Sequence, residues 1–185
     1  LVDGYRADAR DQEKSSQALH KWGDLLLIGF FPVLLLFLVR ALQLFAKTEW
    51  NLAWWGAVFS TGLLCSAFGI TAAHELVHRK SRTLRALGVA FLSLVNYAHF
   101  RVEHVLGHHR TVATPEDPAS ARKGETIYQF VFRSAIYGYL SAWTLEARRL
   151  KSRSLSQRIL QHRCVHYLLL AMVLSIAIVF GFGWG

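Results

Sequence analysis

Five of the nine histidines fall into two short groups whose spacing suits metal ligation. His74-Glu75-Leu76-Val77-His78 sets two imidazoles four residues apart. On a helix, residues four apart share one face and can reach one metal. Glu103-His104-Val105-Leu106-Gly107-His108-His109 repeats the device with His104 and His108, and adds His109. Neutral imidazole suits Zn, Cu, Fe and Ni alike, so these residues point to a metal centre without naming the metal. A single histidine at a membrane face is ordinarily bonded to backbone or headgroups. Two groups at ligand spacing are poorly explained in that way.

The first group alone matches H-E-x-x-H, the zinc-protease pattern, with Glu75 as the base. That pattern is short, and a zinc protease needs only one further ligand and an open position. Three more histidines at 104–109 exceed that need and point to two metals. Two irons with open positions suit oxygen activation. The zinc protease remains the competing class.

The elements that must position these groups are apolar. Of 185 residues, 53% are hydrophobic and 18% charged, and the apolar ones are concentrated in long runs, which defines the membrane class. Lys and Arg number 21 against 12 Asp and Glu, a net charge of +9. These basic residues flank the apolar runs, as on a face turned to acidic lipid, so no nucleic-acid partner is expected. Cys65 and Cys164 lie at or in apolar runs and read as reduced, buried residues.

Residues 1–23 form a polar approach segment. Leu25 to Ala46 is about 22 residues, roughly 33 Å as a helix, enough for a hydrocarbon core of about 30 Å. Pro32 is expected to kink it. A second span from about Leu52 to Ala73 returns antiparallel, with Trp50, Trp54 and Trp55 as an aromatic belt. Cys164 to Gly185 forms a final span. Glu125 to Leu150 reads as a helix along the membrane surface, followed by the basic stretch Lys151–Arg163. Arg6, Arg10, Lys14 and Lys21 precede the first span, and Arg79, Lys80, Arg82 and Arg85 follow the second, whereas the link between them has only Lys47. The positive-inside rule therefore puts the 74–82 region in the cytoplasm.

If the two histidine groups share a site, His78 and His104 lie on one side of the membrane. Thr83 to Phe100 then cannot be a complete span. It must dip in and return, or lie slanted at the interface, with a bend expected near Gly88. The fold class is an all-α integral-membrane bundle with about three full spans and one re-entrant or interfacial helix.

Residues 71–150 resemble the bacterial membrane alkane monooxygenases, within the histidine-box superfamily of fatty-acid desaturases and xylene monooxygenases. The resemblance rests on His74-Glu75-Leu76-Val77-His78-Arg79-Lys80, on Tyr97-Ala98-His99-Phe100-Arg101-Val102-Glu103-His104 and on Gly107-His108-His109. It continues through Val112-Ala113-Thr114-Pro115-Glu116-Asp117-Pro118-Ala119-Ser120-Ala121-Arg122. The first box is shared across the superfamily, and the run after the second is specific to alkane-type hydroxylases.

The resemblance implies a cytoplasm-facing, non-haem di-iron site in a multi-pass protein of the bacterial inner membrane. His74, His78, His104, His108 and His109 are its expected ligands. It implies O2 as co-substrate, an alkane hydroxylated at its terminal carbon, and electrons from rubredoxin and its reductase. Related hydroxylases acting on aromatic methyl groups, terpenes or fatty acids are the near alternatives. Glu75, Glu103 and Asp117 are candidates to orient ligand imidazoles or to meet the redox partner, although each is equally readable as a locally satisfied charge. Asp117, between two prolines, is held rigidly. His99 is expected beside the ligands rather than among them, and His162 and His166 as interface anchors. The family's later histidine boxes and earliest spans do not occur in residues 1–185. These residues are thus expected to form a single partial domain holding an incomplete, inactive share of the site.

Overall fold

A computed structural model describes the backbone of residues 2–182 and the side chains of residues 21–182. The described residues are helical throughout, without strands: α1 (Val2–Phe45), α2 (Leu52–Val77), α3 (Arg82–Leu94), α4 (Phe100–Glu103), a π-turn (His104–His108), α5 (His109–Thr111), α6 (Ile127–Arg149), α7 (Leu155–Gln161) and α8 (Arg163–Phe182). The side chains of the polar approach segment up to His20 lie outside the described residues.

Three helical stretches are long and apolar enough to cross a membrane: Lys21–Phe45, Leu52–Val77 and Arg163–Phe182. Their large apolar side chains, such as Leu26, Phe59 and Val173, are mostly exposed, as expected where the solvent is lipid. The chain is an α-helical, multi-pass membrane bundle. α1 runs through Pro32 without losing its helical assignment.

α1 and α2 form a hairpin. Asn51 caps α2, its side chain accepting from the Trp54 N–H at 2.9 Å. The Trp54 indole donates to the Phe45 carbonyl at 3.1 Å and locks the turn. α2 does not stop at Ala73 but carries the first histidine group to its very end at Val77. The next turn is short because Arg85 folds back on it, donating to the carbonyls of Arg79 (2.8 Å) and Lys80 (2.6 Å). Ser81 caps α3.

α3 lies closely on α2. An expected bend at Gly88 is not found, since α3 passes through that residue unbroken. Gly88 serves packing instead. A Cβ there would stand 3.0 Å from Leu76 Cβ and 3.2 Å from the Ala73 carbonyl oxygen, so glycine lets the two backbones touch. The reversal comes later, after Leu94. Asn96 adopts φ 54°, the left-handed region that Asn tolerates better than most residues. The Tyr97 N–H then returns to the Leu92 carbonyl at 2.8 Å. At 13 residues, α3 is about 20 Å long and is too short to cross a bilayer core of about 30 Å. The 83–100 stretch is therefore not a complete span, as a shared site requires.

Leu34, Ala73, Leu76, Phe91 and Leu92 form the main core, with Phe30 stacked on Phe91 at 5.9 Å and Phe31 edge-on to it at 5.0 Å. A smaller core of Val102, Ala142 and Cys164 joins α4, α6 and α8. Fully buried Glu146 ties α6 to α8. Arg149 forks onto its carboxylate at 2.9 and 2.7 Å, and the Arg163 backbone N–H donates to it at 3.0 Å, at the start of α8. Paired in this way, a buried carboxylate can stay charged. Cys65 and Cys164 are free and buried.

Candidate metal centre

The end of α2 and the start of the second histidine group meet. His78 Nε2 and His104 Nε2 are 3.0 Å apart across 26 positions of sequence. His109 Nε2 is 3.2 Å from the same His104 nitrogen. Ligand atoms of His74, His78 and His104 all lie within 4.8 Å of one another. His104 is the hub: its ring centroid is 4.6 Å from those of His74 and His109, 5.1 Å from His78 and 5.2 Å from His108. The five expected ligands are thus brought together.

The second group achieves this by leaving the α-helix. At 3.6 residues per turn, His109 would sit about 140° around from His104, too far to share its face. The chain instead forms a π-turn, in which the His109 N–H donates to the His104 carbonyl. That i to i+5 closure returns the fifth residue over the first. His108 and His109 thereby both pack against His104, their own ring centroids 5.9 Å apart.

Asp117 completes the arrangement. It is 1% exposed and accepts from the Ala119 N–H (3.0 Å), the Ser120 hydroxyl (2.5 Å) and His108 Nδ1 (2.8 Å). Burial opposes its charge, but these hydrogen bonds outweigh burial and hold the carboxyl below its usual range. An ionised carboxylate only accepts, so His108 Nδ1 carries the proton and Nε2 is left with a free lone pair. The other candidates stand differently. Glu75 pairs with Arg79 at 3.0 Å and is half exposed. His99 packs against Tyr97 and Tyr139 and leaves a buried Nε2 without a partner. Glu103 is buried under Gly107 with Oε1 unpaired. His162 stacks on Trp143 rather than on the centre.

Electrostatics favours neutral imidazoles. Burial, reinforced by the other four histidines, pushes His104 down to about 3, and burial with His74 and His109 lowers His78. Neutral imidazole is the metal-binding form. Two imidazole nitrogens bound to one ion at about 2.1 Å stand roughly 3.0–3.4 Å apart, and the His78–His104 and His109–His104 spacings match that range. The donor set therefore fits a metal, and five imidazoles exceed what one tetrahedral ion takes.

Phe100 was not foreseen as part of the site. Its ring lies flat on His104 at 4.6 Å and 14°. The signal was available, since Phe100 and His104 are four residues apart on one helical face.

Fold and site define a class: a helical membrane protein with a histidine-rich centre able to hold metal. The chain belongs to the fatty acid desaturase family, whose model matches residues 49–185. It is 42% identical over 162 residues to alkane 1-monooxygenase 1 of Pseudomonas aeruginosa, covering 86% of this chain and 42% of that protein. It is 36% identical over 155 residues to alkane 1-monooxygenase 2 of the same organism, covering 83% and 41%. The alkane 1-monooxygenase of Ectopseudomonas oleovorans is 36% identical over 140 residues, covering 67% and 35%. The chain thus spans about two fifths of the length of the curated relatives it matches.

Proposed function

We propose that this chain is the central part of a membrane non-haem di-iron monooxygenase that hydroxylates the terminal carbon of medium- or long-chain alkanes. The observation that carries the reading is the meeting of His78 with His104, which joins both histidine groups into one centre. The names of the relatives support the reaction class. His74, His78, His104, His108 and His109 would hold two irons, with further ligands from the rest of the protein. Bound iron supplies the activation of O2 and the oxidation of the C–H bond. One oxygen atom ends in the alcohol and the other in water, with two electrons and two protons consumed. Rubredoxin, reduced by its reductase, is the proposed electron donor.

The chain's own residues orient and shield. Asp117 fixes the His108 tautomer, and burial keeps His104 neutral. Phe100 covers one face of His104 and keeps water from it. The alkane reaches the centre from the bilayer, between apolar helices, so selectivity rests on cavity depth and shape rather than polar contacts. The cluster Arg79, Lys80, Arg82 and Arg85 beside the first histidine group supports a centre on the cytoplasmic side of a bacterial inner membrane.

Zinc proteolysis is disfavoured by Glu75, whose carboxylate is engaged in an ion pair with Arg79. The whole protein, reconstituted with rubredoxin and its reductase, should convert octane to 1-octanol with O2. Absence of alcohol, together with cleavage of a membrane peptide, would overturn the reading.

A further inference from the structure

Asp117 can orient His108 only if its own loop is held still, and one guanidinium ties that loop to α6. Arg133, on α6, forks onto Glu125, Nε to Oε1 at 2.5 Å and Nη2 to Oε2 at 2.7 Å. Its remaining donors reach the loop backbone. Nη1 donates to the Pro118 carbonyl at 3.1 Å and Nη2 to the Ser120 carbonyl at 2.9 Å. These carbonyls bracket the segment whose Ala119 N–H and Ser120 hydroxyl donate to Asp117. The Arg133 and Glu125 side chains are 12% and 8% exposed, so the pair is largely shielded from water. Glu125 Oε2 also accepts from the Arg122 N–H at 3.0 Å, closing the end of the loop.

We infer that Arg133 is a positioning residue for the metal centre: with Glu125 it fixes the Asp117 loop, and through Asp117 it sets the orientation of the His108 imidazole. The inference rests on the iron-centre reading above. The chemistry demands arginine. Four hydrogen bonds run from one planar group to a carboxylate and two carbonyls, a fork that the single ammonium of lysine cannot reproduce. A pair that merely tied a loop to a helix would leave metal affinity alone.

The test is anaerobic Fe(II) titration of the intact protein in detergent, comparing wild type with R133K, R133Q, D117N and the double variant R133Q/D117N. Amide exchange of Ala119 and Ser120 is followed in parallel. Loss of outer partners of a ligand histidine typically weakens metal binding about 10–100-fold. R133Q and R133K should raise the Kd for Fe(II) about 10-fold and speed exchange at Ala119 and Ser120. The double variant should bind no more weakly than D117N alone, because Arg133 acts through Asp117. Wild-type affinity in R133Q, or multiplied losses in the double variant, would overturn the inference while leaving the iron centre standing. A wild-type protein that binds no iron would overturn both. If R133Q does not fold, R133K and E125Q decide by the same titration, and wild-type affinity in both overturns the inference.

Discussion

His78 Nε2 and His104 Nε2 stand 3.0 Å apart, and no regular helix joins them. Their meeting depends on α3 leaving α2 and coming back within the same half of the bundle. Everything chemical in the chain follows from that return. The first group alone would be a common five-residue pattern, and the second alone a polar helix start.

The hub of the centre should be its least replaceable member. His104→Ala removes the imidazole that lies nearest to the other four. The variant should retain less than half of the wild-type iron and lose alkane oxidation. His99→Gln, changed beside the centre but outside it, should keep wild-type iron stoichiometry. Elemental analysis of both purified variants checks this.

Close contact of α2 and α3 at Gly88 makes a second prediction. Gly88→Ala drives a methyl group against Leu76 Cβ and the Ala73 backbone, neither of which can rotate away. Overpacking of this kind costs about 1–3 kcal/mol. A lower thermal midpoint is expected, with reduced iron retention, because separating α2 from α3 also separates His74 and His78 from His104.

The spans, the two histidine groups and a stretch between them too short to cross were legible in the sequence. Long apolar runs between basic flanks have few other physical solutions, and His78 and His104 could share a site only if 83–100 did not cross. Where the chain turns was not legible. Gly88 is an obvious hinge by composition, but whether a glycine bends a helix or lets a neighbour approach depends on what packs against it. Asn96, an ordinary polar interruption in the sequence, carries the turn. The π-turn was hidden for a related reason. Three histidines at 104, 108 and 109 cannot share one α-helical face, and that conflict was the trace it left. Arg133 read as a polar break in an apolar helix because its partners, Glu125 and the Pro118 and Ser120 carbonyls, are assembled only by the folded loop.

Glu103 predicts a pH effect. Burial, with the Asp117 charge beside it, raises its carboxyl from 4.5 to about 7. Below about pH 4.5 it is protonated both folded and unfolded, and contributes nothing to pH dependence. Between 4.5 and 7 the unfolded chain gives up the proton while the folded chain keeps it, so stability falls as pH rises. Above 7 the cost is constant, on the order of 3 kcal/mol. In metal-free protein, Glu103→Gln should therefore match wild type at pH 4 and exceed it in thermal midpoint at pH 8. Equal midpoints at both pH values would contradict the cost of burying this carboxylate.

Asp117→Asn should weaken iron binding about 10–100-fold without changing helix content. Asparagine keeps the shape but offers a neutral acceptor, or turns an N–H donor toward His108 Nδ1, which would then have to give up its proton. Anaerobic Fe(II) titration, with circular dichroism as the control for fold, reads the two effects separately.

The joining of two histidine groups into one iron centre is tested most directly by metal analysis and Mössbauer spectroscopy of the intact, iron-57-loaded protein. Two irons per chain in imidazole-rich sites are predicted, with both signals disturbed by His104→Ala. A single zinc per chain, or iron that His104→Ala leaves untouched, would contradict it.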